Sequence, residues 1–167
     1  MTTSALADAF GHHCWATLKL IEACRPLSDE QLATPVAGTY GSILDTLRHT
    51  VGGDRSYLSL LTDGALEQVD DETLYLATMT TVMEANDQAW QSLIAPNPDP
   101  GRDVIRFRDD GSESHAPLGI RLAQAIHHGT DHRSQICTGL TNLGIEPPPV
   151  DVWDYGRHDG RVFVSPM

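Results

Sequence analysis

His128 and His132 stand four positions apart in a stretch of helical periodicity. On a helix that spacing sets two Cβ atoms on one side, about 5–6 Å apart. Two neutral imidazoles so placed can share one divalent ion, at about 2.0–2.1 Å each if it is zinc. His132 falls within the apolar stripe of its segment and His128 at the edge of it, so both are expected to face inward, where unpartnered imidazoles are costly to bury. Two hydrogen-bonded core histidines would give the same pattern, and spacing alone leaves the two readings level.

An ion held by two ligands is weakly bound, which directs attention to His49. Its helical neighbours are small or polar: Ser42, Asp45, Gly52, Gly53 and Ser56. They describe either a solvated face or a narrow cleft, which the paired glycines would permit. Periodicity does not choose between these. His13 lies on the apolar face of the first segment, as a fourth ligand, a group bonded behind a ligand or a plain core residue. His12 and His127 fall on the opposite faces of their segments and are expected to be solvated. Asp54 and Asp131 are candidates to orient ligand histidines, or are simply solvated charges.

The elements that must position these residues can be read from hydrophobic spacing. A first helix is expected from Ser4 to Arg25, closed by Pro26. A turn follows at Leu27–Glu30, with Ser28 as a cap. A second helix is expected from Ser42 to Thr62, ended by Asp63–Gly64. A third is expected from Asp71 to Ala95, with Tyr75, Met79, Val82, Met83, Asn86, Trp90 and Leu93 on one face. The prolines at 96, 98 and 100 forbid more helix. Val104–Arg108 and the turn signal Asp109-Asp110-Gly111 predict a small hairpin, too weak alone and therefore expected against the helices. The fourth helix runs from Pro117 to Leu143, with Gly144 beyond its end. Val152, Trp153 and Tyr155 predict that the tail folds back. Four amphipathic helices bury their stripes against one another as a bundle, expected as one domain over residues 1–167.

Composition narrows the partners. The formal net charge of -12 repels phosphate backbones, and no run of Lys or Arg offsets it, so nucleic acid and anionic membrane surfaces are not expected. Cys14, Cys24 and Cys137 are odd in number and form no C-x-x-C pair. They read as small core residues in a reducing, cytoplasmic setting.

Several stretches together carry a resemblance. Ser42–His49, followed by Asp54 and Tyr57, resembles the segment that supplies the first metal histidine of the DinB-like (DinB/YfiT-like) superfamily. His128-Gly129-Thr130-Asp131-His132-Arg133-Ser134-Gln135-Ile136 resembles that superfamily's H-G-x-x-H-R-G-Q-I element, with Ser134 where glycine is usual. Leu143–Pro148 and Asp151–Tyr155 resemble its closing stretch. The resemblance implies an all-α four-helix bundle, often a homodimer, with one divalent metal, zinc or nickel, on His49, His128 and His132. It implies a small-molecule substrate and one of two activities. The first is S-transfer with a low-molecular-weight thiol of the bacillithiol or mycothiol type; the second is hydrolysis of small amides or esters. Arg133 would then anchor a substrate carboxylate, or form an interhelical ion pair. The competing class is a non-catalytic metal-binding or stress-response bundle.

Overall fold

The computed structural model describes residues 4–165; residues 1–3 and 166–167 of the expected 1–167 domain lie outside it. Four long helices form the bundle: α1 (Ala5–Cys24), α3 (Ile43–Leu61), α4 (Leu76–Ile94) and α5 (Leu118–Asn142). Two short helices, α2 (Asp29–Ala33) and α6 (Val152–His158), and an antiparallel hairpin of β1 (Asp103–Phe107) and β2 (Glu113–Pro117) complete the described chain. Each long helix packs on two others, in the order α1, α4, α3, α5 around the bundle. The core between them includes Phe10, Leu20, Leu47, Met83, Trp90 and Ile136.

Side-chain caps fix where the helices start. Ser42 accepts the Asp45 N–H at 3.1 Å while the Asp45 carboxylate accepts the Ser42 N–H at 3.1 Å, a reciprocal box that opens α3. Ser28 and Gln31 form a similar box, and for that reason the expected turn at Leu27–Glu30 is the start of a helical piece, α2. The third long helix begins later than periodicity predicts. Asp70 caps a single 3-10 turn, Asp71–Thr73, and the chain restarts at Tyr75, whose N–H donates to Thr78 Oγ1 at 2.9 Å. Tyr75 is therefore 63% exposed instead of lying on the buried face.

The hairpin pairs Ile105 with His115, turns with Gly111 at φ +81°, and is clipped to α5 by Arg121 Nη2, which donates to the Val104 and Ser114 carbonyls at 3.0 and 2.9 Å. The tail returns to the bundle by a smaller surface than expected. Val152 and Trp153 are exposed, and Tyr155 makes the contact, 5.6 Å from the Trp15 ring and over Gly11. His12 is not a solvated residue: its Nε2–H donates to the Val150 carbonyl at 2.8 Å and ties the tail to α1. No helix among the described residues is long and apolar enough to cross a membrane.

Candidate metal centre

His49 on α3 meets His128 and His132 on α5. One ligand atom from each lies within 4.8 Å of the other two, and the Nε2 atoms of His49 and His128 are 3.1 Å apart. A tetrahedral ion with Zn–N bonds of about 2.0–2.1 Å sets its ligand nitrogens about 3.3 Å apart, close to what this pair already shows. The rings fan around a point instead of stacking, with centroids 4.5–4.9 Å apart and planes at 62–87°.

Hydrogen bonding tests whether this donor set fits a cation. The Gln135 side-chain carbonyl accepts the Tyr40 backbone N–H at 3.0 Å, which settles which way the amide points. The same oxygen lies 3.0 Å from His132 Nδ1, so that nitrogen must carry the proton, and His132 Nε2 is left as a lone pair. His49 and His128 can place at most one proton between their facing nitrogens. At least two of the three inward nitrogens are therefore lone pairs, which suits a cation. Charge points the same way. Burial, then the neighbouring imidazoles of His132 and His49, push the His128 pKa down to about 4. Burial and His132 lower that of His49. Neutral imidazole is the ligand form.

The surroundings hold the rings in place. A Cβ at Gly53 would stand 2.8 Å from His128 Cε1, so the glycine admits the ring, and the neighbourhood of His49 is the narrow cleft and not a solvated face. Tyr40 stacks on His49 at 4.1 Å with planes 9° apart. Tyr57 meets His128 edge-on at 5.6 Å. His49 lines a cavity of about 370 Å³ together with Tyr40, Asp45, Arg48, Asp71 and Glu72.

The other candidate residues go elsewhere. His13 is not a fourth ligand, because both its nitrogens are committed. Arg133 Nη1, a donor only, lies 3.0 Å from His13 Nδ1, and His13 Nε2 lies 2.9 Å from Asp54 Oδ1. Nδ1 thus accepts, Nε2 carries the hydrogen, and a neutral imidazole links a buried guanidinium to a buried carboxylate. Asp54 also accepts from Asn86 Nδ2 at 2.8 Å and Trp90 Nε1 at 3.0 Å. It bonds none of the three clustered histidines, so the expectation that it orients a ligand is corrected. Its oxygens are saturated by three other donors. Asp131 is exposed and contributes no hydrogen bond to the rings either.

Arg133 likewise anchors nothing in the cavity. It points into the core toward α1, donating also to the His13 carbonyl and Thr17 Oγ1, and burial brings its pKa down to about 10. It bridges helices without a direct carboxylate partner. Gly129, where a Cβ would fall 2.3 Å from His13 Cε1, lets that imidazole reach it. Gln135 and Tyr40 were given no role by sequence reasoning. The i,i+3 spacing of Gln135 from His132 was the available signal for the first; Tyr40 had none. His127 is exposed as expected.

The DinB family model matches residues 1–160 of the chain. No curated protein matches it.

Proposed function

The chain belongs to the DinB family, and from that premise and the convergence of His49, His128 and His132 we propose that it is a metal-dependent S-transferase acting on a small molecule. The co-substrate is a low-molecular-weight thiol of the bacillithiol or mycothiol type, and the metal is zinc or nickel, both of which suit imidazole and thiolate. The observation that carries this reading is the set of three ring nitrogens within 4.8 Å, joined among the described residues by no fourth His, Cys or carboxylate ligand. Three protein ligands and an open position are the pattern of catalytic sites; structural zinc is normally closed by four.

A divalent cation held there would supply the positive charge that lowers the pKa of a thiol beside it. The chain's own residues do the rest. Gln135 keeps His132 in one tautomer, Tyr40 fixes the plane of His49, and the cavity bordered by Arg48 and Glu72 admits a small polar molecule. Three free cysteines support a reducing, cytoplasmic setting. A hydrolase of small amides or esters uses the same arrangement with water in place of the thiol and is the second reading.

Elemental analysis of zinc- or nickel-loaded protein tests the centre: wild type should hold one ion, and His128→Ala and His132→Ala should hold none. Conjugation of a thiol to monobromobimane tests transfer, and cleavage of p-nitrophenyl acetate without thiol tests hydrolysis. Full metal retention by both variants would reject the site. A loaded wild type inert to both probes, yet destabilised by chelation, would establish the non-catalytic bundle.

A further inference from the structure

Gly52 and Gly53 leave a notch in α3 one turn beyond His49, and side chains from elsewhere fill both halves. His128 enters over Gly53. Over Gly52 lies Asp71: a Cβ built there would fall 1.6 Å from Asp71 Oδ1. The carboxylate therefore occupies the volume that a side chain at position 52 would take. Positions three apart on a helix are face neighbours, about 5–6 Å apart at Cβ, so this carboxylate lies over the face of α3 that carries His49. The two residues line the same cavity of about 370 Å³.

The placement is built into the fold. Leu74 is 5% exposed, and its carbonyl accepts from Arg48 Nε at 2.9 Å, which docks the 3-10 turn on α3. The neighbouring carboxylates have structural work: Asp70 caps the turn by accepting the Glu72 N–H at 3.1 Å, and Asp45 closes the box at Ser42. Among the described residues nothing donates a hydrogen bond to the Asp71 carboxylate. A half-buried acceptor without a donor, in the cavity that His49 borders, is available to a proton brought by a ligand.

We propose that Asp71 is a catalytic residue, the proton acceptor for the thiol or water that enters the cavity bordered by His49. This rests on the proposed function. In transfer, the S–H bond breaks and its proton goes to Asp71. The sulfur keeps the electron pair and forms an S–C bond to an alkyl halide as the C–halide bond breaks and halide leaves. The protonated carboxyl then returns its proton to solvent. In hydrolysis, Asp71 takes the proton of the attacking water. Burial, and then the charge of Asp70, hold the Asp71 carboxyl above its ordinary range, the direction that strengthens a base. The other charged or titratable groups lining the cavity with it are Glu72 on its own turn, Asp45, Arg48 and His49 on α3, and Tyr40.

The test uses zinc-loaded protein, with 2-mercaptoethanol and monobromobimane for transfer and p-nitrophenyl acetate for hydrolysis. Asp71→Asn should keep zinc stoichiometry and lose about 10²-fold or more in kcat, with little change in KM and with the acid limb of the pH–rate profile gone. Gly52→Ala, whose methyl must expel the carboxylate while improving helix propensity, should show the same loss. In metal-free protein, the Asp71 carboxyl carbon signal, assigned by its absence from Asp71→Asn, should titrate above the ordinary carboxylate range and return to it in Gly52→Ala. Unchanged kcat and profile in either variant would overturn the role, and so would loss of zinc from Asp71→Asn, which would make the residue a ligand. A zinc-loaded wild type inert to both probes fails at the earlier step, the proposed function, and removes the role with it.

Discussion

Asp54 and Arg133 never touch, yet the structure makes each the other's counter-charge through His13. Asp54 is 2% and Arg133 4% exposed, so neither charge has water to fall back on. Asp54→Asn replaces a double acceptor with an amide whose NH2 faces the N–H groups of His13, Asn86 or Trp90. Hydrogen bonds to a buried charge are worth about 1.5–3 kcal/mol each, and removing one partner of a buried pair costs about 3–5 kcal/mol. We expect Asp54→Asn to destabilise the protein by about 3–5 kcal/mol for that reason. Arg133→Met should cost a similar amount, because it leaves the carboxylate without a cation. The discriminating measurement is the double variant. If the two charges communicate through the imidazole, the losses overlap, and the pair costs less than the sum by about 1–3 kcal/mol. Urea unfolding of wild type, both singles and the double gives the cycle, since an m-value of about 1–3 kcal/mol/M turns a 3 kcal/mol loss into a midpoint shift of about 1–3 M. Strict additivity, or a cost below about 1 kcal/mol for Asp54→Asn, would refute an Arg133–His13–Asp54 chain as a coupled charge pair.

Gln135→Leu removes the acceptor that holds the Nδ1–H of His132; zinc affinity should fall about 10–100-fold with the helical circular dichroism unchanged, and competition with a chromophoric chelator measures it. In chelated protein, stability should decline as pH falls from about 6.5 toward 4. His128 has its folded pKa lowered to about 4 by burial and by its two histidine neighbours, so the unfolded chain takes up its proton first and each step down in pH favours unfolding. Urea midpoints across that range should show a shallower slope in His128→Ala; an identical slope would remove His128 as its source.

The helix periods were legible because they are set by local spacing: Met79, Met83, Asn86 and Trp90 all face the core of α4 as their three- and four-residue steps require. The start of α4 was not legible, because it depends on which side chain captures a backbone N–H. Asp70 and Thr78 do so on either side of Tyr75, and hydrophobic spacing carries no record of that competition. His49 was hidden for a different reason. A helical wheel reports which face of a helix is apolar; it does not report what another element lays upon a bare one. At Gly52 and Gly53 the face is bare in sequence and occupied in space, by Asp71 and His128. For Asp54 the sequence offers a partner for a ligand histidine or a solvated charge, and nothing in its own segment shows that three donors from α1 and α4 converge on it.

Adjacent residues on α5 explain why the histidine cluster and the buried charge chain lie side by side. His132 and Arg133 are one step, about 100°, apart around the helix. The first therefore turns toward α3 and the second toward α1. Arg133 is held by the carbonyl and ring of His13 and by Thr17, so the rotation of α5 about its own axis is fixed from the core side. That rotation decides where His128 and His132 stand relative to His49. Small residues at Gly53 and Gly129 admit the two incoming rings, one on each side. A centre made of three neutral ligands has little attraction of its own for rigid placement before an ion arrives, since its imidazoles repel one another when charged and gain only weak contacts when neutral. The buried Arg133–His13–Asp54 chain supplies that placement from beneath, through Arg133, which follows His132 directly in sequence and turns to the opposite side of α5.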